Sequence, residues 1–171
     1  MNIRERIFEY RLRKEAARQA VFPKYENVRS VLLLYESEMS EKNTTVKSIR
    51  DYLLAQDKDV VLWGFCDKKE ILSLVLPQSR IMGRRDLNLL GSPKEEVVKD
   101  LQKRHYDLLI DLTQRPCLPL RYISLYARAD FRAGLNMAGA RNDLLINTAP
   151  QETPQFLFEQ IEKYLKMIQT K

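Results

Sequence analysis

Glu36, Ser37 and Glu38 follow directly on the apolar run Val28 to Tyr35, and Asp111, Thr113, Gln114 and Arg115 close the run that begins at Tyr106. Carboxylates beside hydroxyls and a guanidinium are the groups that orient an anionic ligand or move a proton. With Asn147, which follows a later apolar run, they define a candidate ligand site of Glu36, Ser37, Asp111, Thr113, Arg115 and Asn147. The same residue types also end ordinary strands, so none of them is assigned a catalytic role.

Other chemistries find little support. Cys66 and Cys117 are far apart and match no metal-ligand or redox spacing, and His105 is the single histidine, so no metal site is expected. Cys117 lies near a helix start between Arg115 and Arg121, a setting that lowers a thiol pKa, but no histidine is close in sequence to serve as base. Burial is the simpler reading for both cysteines. A dinucleotide fold or a P-loop needs glycine after the first strand, where phosphate approaches the backbone. The segment Tyr35 to Lys42 has no glycine and is acidic, so no cofactor is expected. A receiver domain would carry a lysine late in the chain, and none lies near Asn147.

These residues depend on strands and helices to bring them together. The run Val28 to Tyr35 reads as a strand buried on both faces, Val46, Ile49 and Leu53 as the inner face of a helix capped by Asn43 or Thr44, and Val60 to Trp63 as a second strand. Strand, helix and strand in about forty residues form a βαβ unit with parallel strands. Residues 66 to 91, where the apolar pieces Ile71 to Leu76 and Leu87 to Leu90 alternate with Pro77, Gly83 and Gly91, read as irregular with one or two brief strands. Ser92-Pro-Lys-Glu95 has the form of a capping box opening a helix to about Arg104, buried through Val97, Val98 and Leu101. Tyr106 to Thr113 is the next strand, and Pro116 and Pro119 open a helix with Leu120, Ile123 and Ala127 inside. Phe131 to Gly134 and Asp143 to Asn147 read as short strands. The last helix starts at Thr153-Pro154 and turns Leu157, Ile161, Tyr164, Leu165 and Ile168 inward. The expected fold is α/β, a three-layer, doubly wound, mostly parallel sheet of Rossmann-like type.

Residues 1–24 read as a leading amphipathic basic helix, helical over 2–21, with Ile3, Ile7, Tyr10, Ala17 and Val21 as its stripe, and residues 25–171 as one Rossmann-like domain. The net charge of +6 is concentrated in residues 1–24 and 115–141, each with a local excess of +4. Arg4, Arg11, Lys14 and Arg18 on the leading helix could meet a phosphate backbone or an anionic membrane, but Glu5, Glu9 and Glu15 interleave them, so nucleic acid and membrane are disfavoured partners. With 44% hydrophobic and 30% charged residues, no apolar run near the ~20 residues of a bilayer span and no signal-like segment, the expected compartment is the cytosol.

Two resemblances attach to specific residues. Asp86-Leu-Asn88 with Gly91 and Pro93, the Asp107 to Leu112 strand, Leu118-Pro-Leu-Arg-Tyr-Ile123 and Arg132-Ala-Gly134 are similar to a family of short bacterial proteins with no activity to carry over. The stretch Tyr106 to Thr113 followed by Leu118 to Gly134 resembles the N-terminal domain of heptosyltransferase-like glycosyltransferases. Those enzymes bind their nucleotide sugar in a second domain and carry a glycine turn with a catalytic acid after the first strand. This chain has no such glycine beside Glu36 and Glu38. The resulting expectation is a non-catalytic domain that binds a protein partner, a second copy of itself or a small anionic ligand. Two alternatives stand beside it: a glycosyltransferase-like remnant acting on a sugar phosphate or nucleotide sugar, and association of the leading helix with an anionic surface.

Overall fold

The computed structural model describes residues 2–15, 18–21, 24–37, 40–67, 77–149 and 152–168. Among these residues there are six strands, β1 (Ser30–Glu36), β2 (Asp59–Phe65), β3 (Ser79–Met82), β4 (His105–Asp111), β5 (Arg128–Leu135) and β6 (Leu144–Ile146). They form one sheet in the order β3-β2-β1-β4-β5-β6, and each neighbouring pair is parallel. This is the doubly wound Rossmann-like order, in which the chain builds outward from β1 to β3 and then restarts at β4 on the other side.

Among the described residues five α-helices complete the layers: α1 (Ile3–Lys14), α2 (Ser40–Leu54), α3 (Glu95–Leu101), α4 (Leu118–Tyr126) and α5 (Pro154–Met167). Val46, Ile49 and Leu53 of α2 and Leu157, Phe158, Ile161 and Leu165 of α5 cover one face of the sheet, against Val31, Leu33, Leu108 and Ile110. Val97 and Leu101 of α3 and Leu120 and Ile123 of α4 cover the other, against Leu32, Leu34, Trp63 and Leu109. Because both faces are covered, β1 and β2 are almost wholly apolar instead of alternating.

The first helix departs from its expected form. It stops at Lys14, and it docks through Phe8 and Leu12, while Ile3 is 71% exposed and Tyr10 and Val21 also face solvent; Ala17 lies outside the described residues. The docking surface decides this register. Phe8 meets the Tyr122 ring edge-on at 4.9 Å, and Leu12 joins the same cluster with Leu125, so α1 packs as an outer layer on α4. Burying a Phe side chain contributes roughly 1.5–3 kcal/mol, enough to select this face over the Ile3–Tyr10 stripe.

The helix starts also differ. Helix α2 begins at Ser40, upstream of the expected caps Asn43 and Thr44. The Ser92 capping box does not form: Pro93 is held in an antiparallel bridge with Leu87, so α3 starts only at Glu95, with Lys94 before it, and ends at Leu101 rather than near Arg104. A capping box does form where none was expected, with Asn2 Oδ1 accepting from Glu5 N and Glu5 Oε2 accepting from Asn2 N, both at 3.0 Å. In α5, Phe158 takes an inner place, and Tyr164 and Ile168 are left at the exposed edge. Of the region expected to hold one or two brief strands, β3 forms at Ser79–Met82, Leu87 makes only an isolated bridge, and Ile71 to Leu76 lies outside the described residues.

Candidate functional site

In a doubly wound sheet the crevice for ligands opens at the carboxyl ends of the strands where the order reverses, here between β1 and β4. Glu36 ends β1 and Asp111 ends β4. Both lie on the α4 side of the sheet, since Leu34 and Leu109, two residues earlier on each strand, pack in the core beneath α3 and α4.

Asp111 is 6% exposed, and its Oδ1 accepts from Thr113 N at 3.0 Å and from Thr113 Oγ1 at 2.7 Å. Burial pushes its carboxyl up to about 6, the Thr113 hydrogen bonds pull against that, and the charge of Glu36 adds to the rise. Gly134 of β5 makes this placement sterically workable. A Cβ there would stand 3.0 Å from Asp111 Cβ and 2.5 Å from Asn142 Nδ2.

Glu36 is 5% exposed, and Arg115 Nε donates to its Oε1 at 2.9 Å. Ser37 turns the chain out of β1, its N–H donating to Phe65 O at 2.9 Å and its hydroxyl to Asn43 Oδ1 at 3.2 Å. Glu36, Ser37, Asp111, Thr113 and Arg115 therefore gather at the ends of β1 and β4. Asn147 does not join them. It follows β6, two strands beyond β4 and thus roughly 10 Å further along the sheet, where it accepts from Asn136 Nδ2 at 3.0 Å. Glu38 lies outside the described residues.

Above this cluster runs a groove that the sequence did not announce. Beside Arg115 it has about 300 Å³ and is lined by Glu36, Phe65, Asp67 and the start of α4, from Cys117 to Pro119. Through Phe65, Asp67, Leu118 and Pro119 it continues into a wider part of about 860 Å³ bordered by Arg4, Arg84 and Lys94. The outer wall is a closed loop. Asn88 Oδ1 accepts from Leu90 N at 2.9 Å and Ser92 N at 3.2 Å, Lys94 N donates to Asp86 O at 2.9 Å, and Gly91 takes a φ of +78° that a larger residue would adopt only under strain. By contrast, the small cavity between Asp111 and α1, about 20 Å³, holds no more than a water or two.

Charge in the groove is unevenly committed. Asp67 is paired with Arg84, whose hydrogen bond holds its carboxyl below the usual range, and Glu36 is paired with Arg115. Among the described residues, no carboxylate pairs with Arg4 or Lys94 at the same rim. Arg4 was legible only as part of the basic face of the leading helix, and its meeting with Asp67, Arg84 and Lys94 was not, because the four come from separate segments; Asn88 and Gly91 are the residue types of a structured turn at that wall. The basic face assigned to α1 is also partly spent inward, since Arg11 Nη1 donates to Tyr126 Oη at 3.0 Å and Arg18 pairs with Asp143.

The model of the family of unknown function DUF6913 matches residues 4–168. The chain belongs to the DUF6913 family. Among solved structures, this DUF6913 chain is similar to E. coli heptosyltransferase WaaC with ADP, at 14% identity and a TM-score of 0.46. That match covers 75% of this chain and 46% of the enzyme, so the DUF6913 chain spans less than half of its length. No curated protein sequence matches. No helix among the described residues is long and apolar enough to cross a membrane.

Proposed function

We propose that this DUF6913 chain acts by binding a small anionic ligand in the groove over the carboxyl ends of β1 and β2 and the segment that leads from β4 into α4. The observation that carries this reading is the charge imbalance of the groove: both lining carboxylates are already paired, while Arg4 and Lys94 stand at the rim without an acidic partner among the described residues. The part of the groove beside Glu36 and Arg115 lies at the reversal of strand order, the usual ligand position in such sheets, and the part bordered by Arg4 and Lys94 extends from it past the end of β2. Its 860 Å³ section suits a ligand the size of a sugar phosphate.

Binding without turnover is favoured because the two strand-end acids are committed to the fold. Glu36 and Asp111 are buried and hydrogen-bonded to Arg115 and Thr113, so neither offers a free carboxylate to a ligand above them. The test is thermal unfolding of the full chain with inorganic phosphate, sugar phosphates, nucleoside diphosphates and dicarboxylates. A cognate ligand at 100 times its Kd adds about 2.7 kcal/mol of stability. That gain should shrink in the Arg4→Gln, Lys94→Gln double variant. No response to any of these anions, or a gain that the double variant leaves undiminished for every one of them, would overturn the reading. Turnover of a sugar phosphate or nucleotide sugar that is lost in a folded Asp111→Asn protein would replace it with the glycosyltransferase-like one.

A further inference from the structure

A second cationic pocket lies away from the strand-end groove, where the segment after α1 crosses β5. Its volume is about 600 Å³, and its wall includes Arg18, Arg132, Arg141, Glu15, Asp143 and Tyr126. Arg132, in the middle of β5, is the unusual member. It is 5% exposed, its Nη2 donates to Ala127 O at 2.9 Å, and its Nε is buried without a hydrogen-bond partner. A buried guanidinium normally faces a carboxylate, because a desolvated charge is costly unless paired.

The nearest acid is already taken. Asp143 Oδ2 pairs with Arg18 Nη2 and also accepts from the backbone N–H of Arg132 at 2.8 Å, so it serves the neighbouring arginine and the strand rather than the Arg132 side chain. Arg18 Nη1 meanwhile donates to Ala129 O at 3.0 Å and Asp130 O at 2.5 Å, which locks that side chain over the pocket edge. Arg141, exposed on the loop before β6, has no carboxylate partner among the described residues. Burial first and then the charge of Arg18, with a smaller part from Arg141, bring the Arg132 guanidinium down to about 10 against the opposing pull of Asp143 and Glu15, a setting that an anion would relieve.

We infer that the Arg18–Arg132–Arg141 pocket is an oxyanion site that takes a phosphate or a phosphomonoester, independent of the strand-end groove. The phosphoryl group fits the chemistry because its several oxygens can accept from two or three guanidinium forks at once, whereas a carboxylate satisfies one fork. Arg132 would supply the buried charge, Arg18 the fixed one and Arg141 the one that closes from the loop.

The test follows the arginine Nε–Hε resonances of the full chain by nuclear magnetic resonance while inorganic phosphate is added at constant ionic strength. Saturable shifts of the Arg132 resonance are expected, with an affinity lowered by about tenfold in Arg141→Gln, an exposed change that spares the fold, and unaltered in Lys94→Gln. Chloride at the same ionic strength should leave the resonance in place. Shifts that do not saturate, that chloride reproduces, or that Arg141→Gln leaves intact would overturn the inference. A phosphate response lost in Lys94→Gln but retained in Arg141→Gln would assign the anion to the strand-end groove instead.

Discussion

Lys58 and Arg132 are both buried cations at 5% exposure, yet they sit in opposite kinds of surroundings. Lys58, on the α2–α5 side, donates from Nζ to Val28 O at 3.0 Å and Tyr25 O at 3.4 Å and lies over the Tyr25 ring. Around it the network closes: Tyr25 Oη donates to Glu162 at 2.6 Å, and Tyr52 and Lys166 reach the same carboxylate at 3.0 Å. Burial pushes the Glu162 carboxyl up, but these hydrogen bonds outweigh it and hold it below its usual range. Arg132 has a single carbonyl partner, an idle Nε and a pocket in front of it. A closed polar network marks a place where the fold is held together. An open one, at equal burial, marks a place that still has a group to receive.

The largest expected effect tests the closed side. Lys58→Met should cost about 3 kcal/mol in urea-induced unfolding, because it leaves the Val28 carbonyl buried without its donor and takes from Tyr25 the ammonium over its ring and the second of two donors to its carbonyl, which keeps only Val28 N. A cost under about 1 kcal/mol would remove the basis for treating this network as structural.

Asp111 gives an intermediate case that pH can read. Its folded-state carboxyl is raised from 3.8 to about 6, so the folded protein takes up a proton that the unfolded chain still releases. The ionised form therefore weakens the fold above pH 6; this penalty lifts as pH falls through about 6 and is gone near 4. Asp111→Asn keeps an Oδ1 acceptor for Thr113 and removes the charge. It should stabilise the protein by about 2 kcal/mol at pH 8 and by nearly nothing at pH 4. Chemical denaturation of both proteins across that range checks this, and a difference that does not change with pH would mean the carboxyl is not strained by burial.

The smallest effect belongs to the open side. Arg132→Met should change stability by less than about 1 kcal/mol, since loss of the hydrogen bond to Ala127 O is offset by removal of a desolvated, unpaired charge. Urea unfolding decides it. A cost equal to that of Lys58→Met would erase the contrast and make Arg132 a structural residue.

Much of the fold was legible. The parallel strands and their two-sided burial follow from apolar runs such as Val28 to Tyr35 and Tyr106 to Leu112, and α4 and α5 start where their prolines indicate. Failures came where a local signal competed with a distant surface. Ile3 and Tyr10 are apolar at helical spacing, but Tyr122 and Leu125 receive Phe8 and Leu12. Ser92 carries the right neighbours for a cap, but the bridge from Pro93 to Leu87 holds that segment extended.

The sequence by itself determined that the chain makes parallel, doubly covered strands with polar residues at their ends, because hydrophobic runs and turn chemistry act over a few residues. Only the tertiary structure decided which of those ends meet. Strand order brings Glu36 beside Asp111 and leaves Asn147 at the sheet's edge, and it folds four distant segments into one basic groove. It also decided that Arg132 is buried without a carboxylate, because the acid within reach, Asp143, is drawn to Arg18 from the other end of the chain.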